Sequence, residues 1–256
     1  KTKKQWYIKK VMTKNTLKTF ISKYYLGGTV ESVKWVVDKN NKQLKTSAIT
    51  EDKNVLLNVT FNNFEDLTDA ELGINDTSKL VKLLNVLGDN INGSYNTVGE
   101  KITSIVFSDD HTDVQYVTAD LSVIPVAPPL KKIPPTNAEI ALDSEFISRY
   151  ISSKNALPDV ETFTLLMNKK GVLELVIGHS SINSNRIKLN VTTKNDKDKV
   201  SKNISFNANH LKEILIANKD CTDATLKVSD AGLSVVEFIC GEFTANYYLV
   251  ELKTVD

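Results

Sequence analysis

Residues 123–136 read VIPVAPPLKKIPPT, and five of the chain's six prolines (Pro125, Pro128, Pro129, Pro134 and Pro135) fall inside them. Proline has no amide donor and a fixed φ, so this stretch fits neither a helix interior nor a central strand. It predicts an extended, semi-rigid strap. The strap lies at the midpoint of 256 residues, a length that accommodates two domains of ordinary size. It is therefore read as a connector over 123–137, between one domain at 1–122 and a second at 138–256.

On both sides of the strap most of the chain alternates with period two. VESVKWVV sets Val33, Trp35 and Val37 on one face, and NVLLNVTF does the same with Val55, Leu57, Val59 and Phe61. The second half repeats the pattern in ETFTLLM, GVLELVI, RIKLNVTT, ATLKVSD, LSVVEFI and FTANYYLVEL, with polar turns such as DKNNK and NKKG between runs. Four segments follow the helical period instead. Their apolar stripes are Leu17, Phe20, Ile21, Tyr24; Leu80, Leu83, Leu84, Leu87; Phe146, Ile147, Tyr150, Ile151; and Leu211, Ile214, Leu215. Thr13, Asp76, Asp143 and Asn207 or Asn209 stand as N-caps, and Gly27-Gly28 and Gly88 as stops for the first two. The class is α+β, with antiparallel sheets and two short helices in each half.

Spacing turns these helices into a repeat. The first two stripes begin at 17 and 80, 63 apart; the last two begin at 147 and 211, 64 apart. Corresponding stripes are offset by 130 and 131 residues. Residue identity between the halves is low, so the repeat is one of architecture.

Bulk composition excludes several classes. With 41% apolar and 25% charged residues the chain is that of a globular protein, and no apolar run is long enough to span a membrane as a helix. The opening KTKKQWYIKKVMTKN lacks the apolar core of a secretory signal. Two cysteines, Cys221 and Cys240, point to a reducing compartment while leaving a single bridge open. The net charge is +1, yet the first thirty residues hold eight lysines and no acid. Such segregation lets a near-neutral chain attract an anionic polymer locally. No phosphate-binding loop, dinucleotide fingerprint or nucleophile elbow occurs, and the cysteines lack metal-site spacing. SDDHTD (108–113) gathers Asp109, Asp110, His111 and Asp113, but between two strand-like runs it reads as a hairpin turn. His179 and His210 stand alone, so neither a metal nor a cofactor is expected.

Two β-rich halves, two short helices in each and an extended strap resemble the DNA sliding clamps, most closely those of T4-like bacteriophages. The resemblance runs over nearly the whole chain and is clearest in MTKNTLKTFI, ELGINDTSKLVKLLNVLGDN, SIVFSDDHTDVQYVTAD with VAPPLKKIPPTNAEI, and FTANYYLVEL. It implies a homotrimeric ring with helices lining a hole around double-stranded DNA, contacted without regard to sequence. It implies a processivity factor that tethers DNA polymerase and is opened by an ATP-driven clamp loader. It also implies late-transcription partners associated with RNA polymerase, no catalysis, and residence in the cytoplasm of an infected bacterial host. The chain is longer than such clamps, with the excess in KTKKQWYIKK and in polar turns such as 194–202.

The helices can be checked against that implication. Opposite the apolar stripes lie Lys14, Lys18 and Lys23; Lys79 and Lys82; Arg149 and Lys154; and Lys212 and Lys219, the expected DNA-facing set. Acids on these segments gather at helix starts, where the dipole favours them. The four segments sum to about +5 and the remainder to about −4, the polarity of a basic lining and an acidic exterior. In clamps generally, partner peptides dock beneath the connector; Ile124, Leu130, Ile133, Tyr247 and Leu249 are the matching apolar residues, with core packing of the last strand an equal reading for Tyr247 and Leu249. Ring closure is expected between strands near 113–120 and 186–193. Two other readings stand beside this one: a structural β-rich virion protein, and a clamp-like processivity factor working as monomer or dimer.

Overall fold

Four side-chain caps set the helix starts. In the computed structural model, Thr13, Asp76, Asp143 and Asn207 each accept a backbone N–H from the first turn of α1 (Lys14–Tyr25), α2 (Thr77–Leu84), α3 (Ser144–Ala156) and α4 (Ala208–Ala217). The helices begin at 14, 77, 144 and 208, so the 63 and 64 spacings and the 130 and 131 offsets of the sequence recur in the backbone. The stop of α1 comes one residue before its glycines: Leu26 itself takes the left-handed conformation, φ 48°, and donates to Ser22 O. α2 likewise ends well before Gly88. The structure describes residues 12–253 except Lys131, Ser181, Asn183, Asp196, Lys197 and Thr222. The basic residues Lys1, Lys3, Lys4, Lys9 and Lys10, and part of the turn at 194–202, lie outside the described residues.

The first half continues α1, β1 (Val33–Asp38), β2 (Gln43–Ile49), β3 (Val55–Asn62), β4 (Ala70–Ile74), α2, β5 (Asn92–Val98), β6 (Lys101–Ser108) and β7 (Asp113–Val117). The second runs β8 (Ala138–Ala141), α3, β9 (Thr162–Met167), β10 (Leu173–Ile177), β11 (Ile187–Asn190), β12 (Thr192–Thr193), β13 (Ile204–Asn207), α4, β14 (Asp223–Ser229), β15 (Leu233–Cys240) and β16 (Phe243–Val250). The class is α+β with antiparallel sheets, as the alternation requires. Among the described residues three sheets form: nine strands in the order β12-β8-β14-β15-β16-β3-β2-β1-β4, four in the order β11-β10-β9-β13, and three in the order β5-β6-β7.

The nine-stranded sheet crosses from one half to the other where β16 pairs with β3, in register from Phe243↔Phe61 to Leu249↔Val55. Its core side carries Trp35, Leu57, Val59, Phe238 and Tyr247, all at most 1% exposed. Helices cover that side: α1 touches α2 and α4, and α4 touches α3, so they form one row, α2-α1-α4-α3. Aromatic rings pack beneath the row: Phe20 and Tyr24 of α1 against Trp35 of the nine-stranded sheet, and Tyr150 of α3 against Phe163 of the four-stranded sheet, which in turn packs on Phe206.

A polar clasp reinforces the seam. Tyr247 Oη donates to Lys23 O at 2.7 Å and accepts from Asn218 Nδ2 at 2.8 Å, joining β16, α1 and the end of α4 in a site closed to water. The Tyr247→Phe variant should therefore lose about 1–3 kcal/mol in urea unfolding, because the Lys23 carbonyl is left buried without its donor. An unchanged midpoint would show that the clasp adds nothing beyond ring packing.

Candidate nucleic-acid interface

The exposed side of the helix row is basic, but not every expected lysine belongs to it. Lys79 and Lys82 on α2, and Lys219 just beyond α4, are exposed and have no ion-pair partner among the described residues. Lys18 Nζ donates to Asn85 Oδ1 at 2.7 Å and Lys14 Nζ to Leu87 O. Both acceptors are neutral, so α1 keeps its charge while fastening the C-terminal end of α2. Arg149 is exposed and pairs with Glu145 one turn back, and Lys212 lies 3.8 Å from Glu213. Those two cations are partly offset by their neighbours.

Lys23 and Lys154 do not face outward. Lys23 is fully buried; its Nζ reaches Asn218 Oδ1 at 3.2 Å, Asp220 Oδ1 at 3.3 Å and the Ala217 carbonyl at 3.5 Å, and sits over the Phe243 ring. Lys154 is 2% exposed and donates to Leu157 O and Pro158 O, capping the end of its own helix. Burial pushes its ammonium pKa down, with Lys212 adding to the shift. Both lysines are structural fasteners, a correction to the basic face expected from sequence. The physical reason is position: each sits where its helix meets the neighbouring element, with acceptors within reach of a long side chain.

A second contact between the halves lies near the strap. His210 Nε2, on α4, is 2.6 Å from Asp52 Oδ2, in the β2–β3 turn. Burial raises the Asp52 carboxyl pKa, but hydrogen bonds from Thr50, His210 and Asn54 outweigh it and hold the group well below the usual carboxylate range. SDDHTD forms the β6–β7 turn: Asp109 accepts from the backbone of Gly88, His111 and Thr112, so its oxygens are occupied by local N–H groups.

The strap leaves the first half through Ile124 and rejoins the sheet at Asn137, whose N–H donates to Val228 O. Between them no regular structure forms among the described residues. Ile124 is buried beside Gly73, where a Cβ would lie 2.5 Å from Ala119 O and 3.2 Å from Ile124 Cγ1; only glycine permits that approach. Leu130 and Ile133 are 40% and 50% exposed. Beneath the strap's beginning, on the side of the sheet away from the helices, a groove of about 540 Å³ is lined by Val36, Lys45 and Ser47 with Leu121, Ile124 and Val126. Tyr247 and Leu249 do not line it. Both are core residues, 0% and 1% exposed, since the parity of β16 turns them toward the helices while the strap crosses the opposite face. Sequence reasoning missed Val36, although its parity opposite Trp35 marks it as outward-facing.

Among the end strands of the three sheets, β7 bonds to β6 alone and β11 to β10 alone among the described residues. Thr118 N–H donates to Thr103 O and Asp109 N–H to Thr112 O, which fixes the antiparallel alternation along β7. By that alternation Asp113, Gln115 and Val117 turn their backbone groups away from β6. The same reasoning from Gly178 N–H to Thr162 O across β9 and β10 turns those of Lys188 and Asn190 away from β10. Each free edge is flanked by a helix, β7 by Lys79 and Leu83 of α2, β11 by Phe146 and Arg149 of α3. Both strands fall within the segments expected at ring closure.

No protein-family model and no curated protein sequence matches this chain. Solved structures do. The chain is similar to the proliferating cellular nuclear antigen of Entamoeba histolytica, TM-score 0.71 and 14% identity over 95% of this chain and 97% of that one. It is equally similar to the A. fulgidus PCNA solved with the C-terminal region of FEN-1, TM-score 0.71 and 14% identity over 96% and 98%. The fold is that of the sliding clamps.

Proposed function

We propose that this chain is a DNA sliding clamp, a processivity factor that closes as a ring around duplex DNA and tethers a DNA polymerase. One observation carries the reading. The internal seam joins β16, the last strand of the second half, to β3, the third strand of the first. The repeat makes β7 the counterpart of β16 and β11 the counterpart of β3. Both are end strands of their sheets, bonded to a neighbour on one side among the described residues. A second copy can therefore supply at β7–β11 the pairing that β16–β3 makes within one chain, and three copies of a two-part chain would close with pseudo-sixfold symmetry. The helix row then faces the hole, where Lys14, Lys18, Lys79, Lys82 and Lys219 meet phosphates without reading bases.

Under this reading 1–122 and 138–256 are the two clamp domains and 123–137 their connector. The groove beneath the strap suits a short apolar partner peptide, with Leu130 and Ile133 as further anchors. The A. fulgidus PCNA bound to a FEN-1 terminus supports such docking by analogy of fold. The ring does no chemistry of its own and depends on an ATP-driven loader. A T4-like phage origin, a role in late transcription and a place in the host cytoplasm rest on sequence resemblance alone.

The test uses linear duplex DNA with open ends or with both ends blocked by bound protein. A ring threads onto open-ended DNA, stays after the ends are then blocked, and fails to enter DNA blocked beforehand. Equal binding to both forms in moderate salt would favour a monomeric or dimeric factor held by charge. Binding to neither would favour the virion-protein reading.

A further inference from the structure

Cys221 and Cys240 lie on one side of the seam, at the same end of the β14–β15 hairpin. Cys221 follows the turn after α4, Cys240 ends β15, and the β14–β15 register closes at Asp223↔Ile239 beside them. Their Sγ atoms and a carboxylate oxygen of Asp220 all lie within 4.8 Å of one another. Asp220 bridges the pair: Oδ1 is 3.8 Å from Cys221 Sγ and Oδ2 is 3.6 Å from Cys240 Sγ. Lys23 Nζ completes the group, 3.6 Å from Cys221 Sγ and 3.3 Å from Asp220 Oδ1. Two thiols and a carboxylate would suit a soft metal ion, but a buried ammonium already occupies the approach and repels a second cation. The geometry favours sulfur joining sulfur.

We propose that Cys221 and Cys240 are a redox-active dithiol, oxidised by small disulfides to an intrachain bridge within the second half that braces the turn gripping Lys23 and so steadies the seam. Half-buried Cys240 is the sulfur a small oxidant meets first, whereas Cys221 is 4% exposed. Burial also pushes the Cys221 thiol up to about 12, which makes Cys240 the sulfur that reacts first. The steps balance. Cys240, as thiolate, displaces one thiol from a small disulfide and forms a mixed disulfide. Cys221 then loses its proton to water and displaces the second thiol. Two electrons pass from the protein sulfurs to the oxidant, and the two protons end on the released thiols. The bridge ties the turn that holds Lys23, Asn218 to Asp220, covalently to the sheet.

Intact mass and free-thiol titration after incubation with oxidised glutathione test this on the folded chain. The expected product has lost two hydrogens and both thiols, is restored by dithiothreitol, and melts about 5 °C higher than the reduced protein. Cys221→Ser should stop at one glutathione adduct on Cys240, and Cys240→Ser should leave Cys221 free. A wild-type chain that keeps both thiols, or that ends as a stable glutathione adduct, would overturn the dithiol. A bridged chain that melts no higher than the reduced one would overturn its role in steadying the seam.

Discussion

The Gln115→Pro variant is expected to sediment near 28.5 kDa at concentrations where the parent chain sediments near three times that mass, roughly 86 kDa. Gln115 is the middle residue of β7, and its N–H points away from β6. Proline there removes a donor from the free edge and places its ring where a neighbouring strand would approach, while the β6 ladder keeps its bonds. Proline within a paired strand removes a ladder hydrogen bond and is found essentially only where the strand has no neighbour on that side. A closed ring would incur that loss at every joint, so association should weaken by several orders of magnitude. Far-ultraviolet circular dichroism and the urea midpoint should stay close to the parent's, because Gln115 is exposed and makes no core contact. A variant that still forms the heavier species would remove β7 from the joint. A parent chain that is monomeric at tens of micromolar would remove the stable ring itself.

The second large effect concerns charge. Changing Lys18, Lys79, Lys82 and Lys219 together to glutamate should abolish retention on threaded linear DNA and reduce binding about a hundredfold or more at 0.1 M salt. Each lost phosphate contact also flattens the dependence of log affinity on log salt by about 0.9. Lys79, Lys82 and Lys219 are exposed and outside the apolar core, so the variant should fold and assemble like the parent, with a small drop in the urea midpoint from the lost Lys18–Asn85 bond. Substituting Lys23 or Lys154 should instead lower stability and leave the salt slope alone, since both are buried against carbonyl groups. If the quadruple variant holds DNA with the parent's salt slope, the helix row is not the DNA surface.

Much of this architecture was legible before any coordinates. Helix starts follow from a polar cap ahead of an apolar stripe, and both signals are local, so all four caps and both spacings were readable. The class of the sheets followed from parity. What escaped depended on reach. Lys154 continues the stripe Ile147, Tyr150, Ile151 by one more turn, a sign that it points inward, but only the fold shows the Leu157 and Pro158 carbonyls that receive it. Lys23 lies three residues after Phe20, yet its acceptors at 217–220 are nearly two hundred residues away in sequence. Tyr247 and Leu249 share parity with Phe243 and Ala245, which already set them on the core side of β16. The strap crosses the opposite face of the sheet, which the parity of the strand does not by itself reveal. That the strap's own groove is built on β1 and β2 required the tertiary structure.

The unequal lengths of the strand pairs carry a mechanical meaning. Within the chain, seven residue pairs of β16 and β3 zip together over a fused aromatic layer, with Phe61 and Phe243 centred 4.8 Å apart. In the proposed ring, the strands that would meet between copies are five and four residues long. A closed band made of alternating long and short seams yields at the short ones when bent. A machine that prises such a band apart would thus obtain a clean gate between intact subunits, with no subunit torn through its middle.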